Sequence, residues 1–504
     1  MELLLSVVIG EAIGRSIDFF ISKCSQSSQA QDVEGRLRSV LLRAQVITEE
    51  ALGRQVTNQA MLLQLDMLRG AMYRGCYLLD TFRYQYSHGK EDAEDQVGRQ
   101  SLSLRKVSSS KYLCSSNRKA RDFEQLQEVL HSLNSMILDA KETVIFLNTY
   151  PRMYRQPYSM HLLLANCMFD RQMEAQHVIN FLLRTQPHGA EELEVLPIVG
   201  PRRVGKRTLA AHVCCDERIR DHFSEIVFLT DDDFRGEMRS VTRHECAMEN
   251  HNGNTRKDGR LLLIIEVDGD VTQDAWSKFC SSFGLSITNG TKIIITSRSD
   301  NIKKLGTTGA VTLAYPSSEA HWYFFKTIAF GSTDPEQHPR LASVAMEIAR
   351  TLSLTTLLCA NITATLLRDN FDIRFWCKVL VFLRRDIQNH IAKFGESPAD
   401  FLIQNKPTRL GRMMGRASED MMVYDQYHCS SQEAVPSISL HDVMYGNVKP
   451  DGKFESRVCS VPHDDNDEAC WAGWEAQEDL INVMRYHVDQ HFTNENVNCD
   501  ILYT

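Results

Sequence analysis

The residues of this chain best placed to do chemistry lie between Leu193 and Val213. An apolar run, Val195 to Val199, breaks at Gly200, and Gly205-Lys206 then opens an amphipathic segment. Strand, glycine-flanked loop and helix, in that order, let backbone N–H groups and a helix N-terminus cradle phosphate, with a lysine reaching the outer oxygens. The candidate contacts are Gly200, Arg203, Val204, Gly205, Lys206, Arg207, Thr208 and Leu209. The pattern G-x-x-x-x-G-K-[ST] puts a hydroxyl directly after the lysine to ligate Mg²⁺. Here that residue is Arg207, and Thr208 comes one position late. The loop reads as built to hold a nucleotide and poorly built to hydrolyse one.

Such a loop needs a sheet behind it. Candidate strands are Leu193–Val199, Ile226–Leu229, Leu261–Val267, Lys292–Thr296 and Val311–Ala314, with helical segments between them. Continuous β-branched and leucine runs of this kind imply a parallel sheet covered by helices on both faces. Pro197 conflicts with a central first strand, because proline cannot complete a ladder.

The flanking chain is helical. Leu3, Leu4, Val7, Val8, Ala12 and Ile13 share one helical face, as do Val33, Leu37, Val40, Leu41, Ala44 and Ile47. A third segment, about Asn58 to Tyr84, and a fourth, Phe123 to Leu147, complete an expected antiparallel four-helix bundle over 1–150. His88 to Lys119 is polar and aperiodic and reads as a disordered loop, at about 87–119. A linker follows at 151–168, with a further helix opening at Phe169. The expected phosphate-binding domain covers 169–316. Helical periodicity returns over 317–406, in His321–Phe330, Leu341–Leu354, Leu357–Asn370 and Phe375–Phe394. Residues 407–504 read as an irregular tail with an acidic patch, Asp464 to Glu468, beside Trp471 and Trp474. The fold class expected is multidomain: a helical bundle, an α/β parallel-sheet domain, a second helical region and a loop-rich tail.

A formal charge of -9 over 504 residues argues against a general nucleic-acid binder, so no nucleic-acid partner is expected. Fourteen cysteines occur without any C-x-x-C, the pattern of reduced thiols with neither a disulfide frame nor a zinc site. The apolar start is too short to span a bilayer and has Glu2 where a signal peptide wants a basic residue. No transmembrane segment is expected. A cytoplasmic location is the expectation, with nuclear or peripheral membrane association as variants.

Taken in order, these stretches resemble the plant disease-resistance proteins that join a coiled-coil N-terminal domain to an NB-ARC nucleotide-binding domain and leucine-rich repeats. The resemblance covers about residues 1–400. Val33 to Arg69 looks like the N-terminal four-helix domain, and Gly75 to Phe82 sits where the family has its EDVID-type motif, with Asp80 as the one acid kept. Val195–Gly200 with Gly205-Lys206 matches the NB-ARC strand and loop, and Asp216–Phe223 the segment after its first helix. Thr291–Arg298 looks like the third strand motif, which makes Arg298 the candidate sensor of an outer phosphate. Ala320–Gly331 resembles the first helix of the ARC region.

The departures matter as much. The strand Leu261–Val267 should end in two aspartates, but has Glu266 followed by Val267, with Asp268 out of register. Glu266 is the one acid left to approach Mg²⁺, so the ion's site is compromised. The GLPLA motif corresponds to Leu354–Leu358, without glycine or proline. Leu440-His441-Asp442 superficially resembles the MHD motif that contacts ADP. No leucine-rich repeat is visible.

The resemblance implies a defence-response switch in which bound ADP clamps a closed state and exchange for ATP frees the N-terminal bundle for protein partners or self-association. The expected ligand is ADP or ATP, with little or no hydrolysis, and the chain is not expected to be an enzyme. The competing reading is a degenerate scaffold or decoy that acts through protein contacts of the bundle without nucleotide. A working ATPase of another P-loop family would need the hydroxyl and the acid pair that are missing.

Overall fold

The computed structural model describes residues 31–94, 109–152, 168–184, 193–235, 242–245, 260–282, 291–352, 357–404 and, beyond these, 406, 408–413, 421–424, 437–439, 445, 454–457 and 486–489. The chain forms two compact units, Met1–Gln156 with Asp334–Ser343, and Pro157–Thr333 with Val344–Thr504. The expected helix at the N-terminus, the motif-like Leu440–Asp442, and Trp471 and Trp474 lie outside the described residues, and so do residues 353–356.

In the first unit, helices over 31–52, Gln59–Glu94, Ser109–Asp139 and Lys141–Leu147 supply the order expected. Their apolar stripes are buried as the 3.6-residue period requires: Leu37, Val40, Leu41 and Ala44; Leu65, Leu68 and Met72; Leu126, Val129 and Leu133. The loop expected over 87–119 is corrected at both ends. One helix continues to Glu94 and the next begins at Ser109, with 95–108 outside the described residues. A helix nucleated by a packed turn propagates at little cost through polar residues, so an apolar period ends before the helix does. Arg54 fixes the end of the 31–52 helix. Its Nη1 donates to the Tyr150 carbonyl at 2.9 Å and its Nε to Glu50 at 2.7 Å.

The second unit is organised on a six-stranded sheet: β1 (Glu194–Val199), β2 (Glu225–Leu229), β3 (Thr242–Glu245), β4 (Leu261–Glu266), β5 (Lys292–Ser297) and β6 (Val311–Thr312). The order is β3-β2-β4-β5-β1-β6, parallel throughout except for β3, an antiparallel edge strand whose residues Thr242-Arg243-His244-Glu245 carry no apolar run to mark it in the sequence. Alternate strand residues go to opposite faces. Leu196 and Ile198 pack with Val178, Leu182, Leu209 and Val213. Val195 and Val199 pack with Phe234, Trp276 and Phe279. A parallel sheet covered on both faces, with a glycine-flanked loop after β1, has the architecture of a P-loop NTPase-type α/β domain, and helices precede and follow it.

Pro197 fits β1 after all. Val195 exchanges backbone and hydroxyl bonds with Thr307, and Val199 accepts from the Leu313 amide. Pro197 lies between them and faces the same edge. There β6 pairs only with Ile198 and Val199, and the neighbour at Pro197 is the turn at Gly306. The missing N–H therefore faces no strand.

The root of the sheet holds a buried charge. Lys292 and Glu194 are register partners on β5 and β1, with Nζ 3.0 Å from Oε2 and donating to the Phe181 carbonyl at 2.7 Å. Burial pushes the Lys292 ammonium below its ordinary range, opposed by the carboxylate. These bonds tie the helix Gln172–Leu183 to the strands that carry the loop.

Helices Ser318–Phe330, Pro339–Leu352, Leu357–Asp369 and Ile373–Phe394 follow, each close to its expected span. The irregular tail is corrected. A five-stranded sheet forms from β7 (Thr408–Leu410), β8 (Met421–Tyr424), β9 (Ser437–Ser439), β10 (Phe454–Arg457) and β11 (Tyr486–Asp489), in the order β7-β8-β11-β10-β9. Strands of three or four residues carry almost no periodic signal, and their partners lie far along the chain. Among the described residues, no helix is long and apolar enough to cross a membrane.

Two outcomes are expected from this core. Glu194→Ala leaves the Lys292 charge buried without its partner and costs about 3–5 kcal/mol in urea unfolding of this unit. A loss below about 1 kcal/mol would contradict the assignment. His321 is buried, neither ring nitrogen has a hydrogen-bond partner among the described residues, and burial lowers its pKa to about 4. The unfolded chain then takes up this proton before the folded one. Stability falls as pH drops from 6.5 towards 4, by up to about 3 kcal/mol from this group. His321→Phe is expected to flatten that part of the stability–pH profile.

Candidate functional site

The loop after β1 is shaped first by lack of room. A Cβ on Gly200 would stand 2.6 Å from the Leu313 carbonyl oxygen and 3.1 Å from Val204 Cγ1. The Gly200 amide donates to the Ser297 carbonyl at 3.2 Å, so the backbone leaves the sheet still bonded to β5. It then turns through two left-handed residues, Arg203 (φ 58) and Gly205 (φ 95), the second of which caps the helix Lys206–Cys214. Arginine in the left-handed region is uncommon and strained. Alternating left- and right-handed residues turn successive N–H groups to one side and make an anion nest.

The first N–H groups of a helix have no intrahelical acceptor. The Leu209 amide is the first to be bonded, to the Gly205 carbonyl at 2.8 Å, and its side chain lies in the core. Of the expected contacts Leu209 therefore supports the loop from behind, and the donors of the nest run from Val204 to Thr208. Thr208 follows Arg207 by one helical step, about 100° around the axis, so its hydroxyl cannot replace the missing one by position.

Lys206 bends back over the loop, its Nζ donating to the carbonyls of Gly200 and Pro201 at 2.9 Å each. Burial lowers its pKa, and the positive charges of Arg202 and Arg298 act in the same direction, against Glu266 and Asp268. Arg298 is exposed just beyond β5. Because β5 lies between β1 and β4, this places it between the loop and the end of the acidic strand.

The acids are engaged. Arg207 Nη1 lies 3.4 Å from Glu266 Oε2, with each side chain about half exposed. Arg202 Nη2 lies 2.8 Å from Asp268 Oδ2, and the Tyr315 hydroxyl donates to the Arg202 carbonyl at 2.6 Å. Arg202, Asp268 and Tyr315 were not among the expected residues. Asp268 is out of register with Glu266 on the strand, but the chain turns after the buried Val267 and brings it within reach of the loop. The one sequence signal was the doubled arginine, Arg202-Arg203, opposite an acid two residues past Glu266.

This donor set suits an anion: a nest, Lys206, and the guanidinium groups of Arg202, Arg207 and Arg298. It does not suit Mg²⁺, which needs oxygen ligands. Among the described residues no cluster of His, Cys, Asp or Glu could hold a metal ion.

No protein-family profile matches the chain. It is 23% identical over 341 residues to disease resistance protein RGA2 of Solanum bulbocastanum, covering 64% of this chain and 33% of that protein. It is 22% identical over 338 residues to putative disease resistance protein RGA1 of the same plant, covering 64% and 32%. With putative disease resistance protein RGA4 it shares 25% identity over 197 residues. The chain thus spans about a third of the first two relatives' length, and it is related to disease resistance proteins. A solved structure, domain III of the replication initiation protein DnaA from Thermotoga maritima, aligns with 49% of this chain and 97% of its own at 14% identity. Its TM-score of 0.23 is too low to carry an argument.

The two loop glycines separate sterics from conformation. Gly200→Ala is expected to push β6 aside at a cost of about 1–3 kcal/mol and to speed hydrogen exchange at the Leu313 amide. Gly205→Ala meets nothing closer than 3.9 Å, costs about 1–2 kcal/mol of left-handed strain, and leaves that amide protected. Equal exchange in both variants would disprove the close contact at Gly200.

Proposed function

We propose that this chain is a nucleotide-binding protein of the plant immune-receptor class, holding ADP or ATP in the loop Gly200–Thr208 as a conformational switch, with little or no hydrolysis. The observation that carries this reading is Lys206 folded over a nest formed by left-handed Arg203 and Gly205 at the end of β1. The similarity to disease resistance proteins supports the biological setting.

Bound nucleotide would supply the phosphate charge that distinguishes the two states of the switch. The N–H groups from Val204 to Thr208 hold phosphate oxygens, and Lys206 leaves the Gly200 and Pro201 carbonyls to bind them. Arg298, exposed just beyond β5, would sense an outer phosphate and so distinguish ATP from ADP. A ligand moves such an equilibrium only by its difference in affinity for the two states. Arg298 is the residue through which that difference arises. Slow hydrolysis follows from the side chains present: none of the loop offers a hydroxyl directly after Lys206, and Glu266 is paired with Arg207.

A second reading, a scaffold without nucleotide, is favoured by the first unit. There Leu42, Val46, Leu63, Met67, Ile145 and Phe146 are more than half exposed. Apolar side chains left in water at this frequency suit a surface that meets protein partners.

Titration with fluorescent ADP and ATP beside Lys206→Ala distinguishes them. Micromolar binding of ADP, lost in the variant, is expected. Wild-type protein that binds neither nucleotide leaves the scaffold reading standing, and steady phosphate release would overturn both.

A further inference from the structure

The geometry points to a site that takes nucleotide phosphate without a divalent cation, the guanidinium of Arg207 standing where Mg²⁺ would bridge β4 and the phosphates. This rests on the phosphate-holding reading of the loop given above and specifies the form of nucleotide it accepts.

The first observation is where Arg207 goes. β1 and β4 are separated by β5, two strand spacings or about 10 Å, and Arg207 crosses that gap to put Nη1 3.4 Å from Glu266 Oε2. A Mg²⁺ ion held by a hydroxyl after the lysine and by an acid on the third parallel strand would occupy the same gap. A guanidinium there supplies positive charge at the same place without oxygen ligands. Like-charge repulsion and competition for Glu266 both act against an ion beside it.

The second observation is independent of Arg207. The other acid at the end of β4, Asp268, is bonded to Arg202 at 2.8 Å, and Arg202 is mostly buried. Glu266 and Asp268 are therefore each paired with an arginine of the segment Gly200–Thr208. One substitution in a metal site could be compensated by the remaining acid. Here that acid is engaged as well.

The chemistry of arginine completes the case. Its five N–H donors lie in a planar fork, so one edge can stay on a carboxylate while others take phosphate oxygens. Arg207 is about half exposed and engages Glu266 through Nη1. A guanidinium also activates no water, in keeping with slow hydrolysis.

The test compares ADP affinity in excess EDTA with that in millimolar Mg²⁺, for wild-type protein and for Arg207→Ser. Wild-type affinity is expected to be as tight in EDTA as in Mg²⁺, or tighter, and Arg207→Ser to bind at least tenfold more weakly in EDTA. Mn²⁺ substituted for Mg²⁺ should show only the electron paramagnetic resonance spectrum of free and nucleotide-bound ion, without a protein-bound species. Mg²⁺ that tightens wild-type binding fivefold or more overturns this proposal and leaves nucleotide binding intact. An Arg207→Ser protein that binds in EDTA as tightly as wild type overturns it too. Failure of wild-type protein to bind ADP in either buffer removes the nucleotide reading and this proposal with it. Arg207 is exposed, so an unchanged melting curve for Arg207→Ser is expected and shows that the comparison is between folded proteins.

Discussion

There is no room for a side chain where β1 ends. The Leu313 carbonyl would stand 2.6 Å from a Cβ on Gly200, and the Leu313 amide is itself bonded to Val199 at 2.7 Å. The backbone is thus pinned on one side by β6 and on the other by the Ser297 carbonyl. It can only rise out of the sheet and turn. The left-handed residues at 203 and 205, the helix that starts at Lys206, and the inward bend of Lys206 all depend on that narrow exit. Strain at Arg203 is tolerated because the sheet below is rigid and covered on both faces.

Charge is the second organising element of the site. The loop carries Arg202, Arg203, Lys206 and Arg207 within a few residues, against Glu266 and Asp268 at the end of β4. Half-exposed ion pairs such as Arg207–Glu266 contribute little to stability. Their effect is positional: Arg207 is held on Glu266 and Arg202 on Asp268, which occupies those two carboxylates. The buried pair Lys292–Glu194, at the other end of the same strands, acts differently. It is desolvated, so removing either partner is costly, and it fixes how the helix Gln172–Leu183 meets the sheet.

Much of the fold was legible in local pattern. Apolar runs marked the five parallel strands, and the spacing of Leu37, Leu65, Leu68 and Leu133 marked the bundle helices. Pro197 was the sharpest conflict between rule and pattern, and the structure resolves it by facing the proline nitrogen toward the turn at Gly306. The polar helix extensions to Glu94 and from Ser109 carry no periodic signal, because a helix needs no apolar face once its packed part has formed. The C-terminal sheet was not legible, since β8 pairs with β11 across more than half the tail and each strand is only four residues long.

The sequence by itself determined the course of the loop after β1: Gly200, Gly205 and Lys206 at their spacing, behind an apolar strand and ahead of a helix. It also determined that Arg207 displaces a hydroxyl. Those are properties of neighbouring residues, read from steric and hydrogen-bonding needs within one turn of chain. What Arg207 does instead was settled only by tertiary structure. Its partner Glu266 lies 59 residues away, and that of Arg202 is Asp268, 66 residues away. Which acid faces which arginine follows from the insertion of β5 between β1 and β4 and from the turn after Val267. Hydrophobic period is a local signal, but strand order is a property of the whole sheet, and charge pairing across it comes only with the sheet.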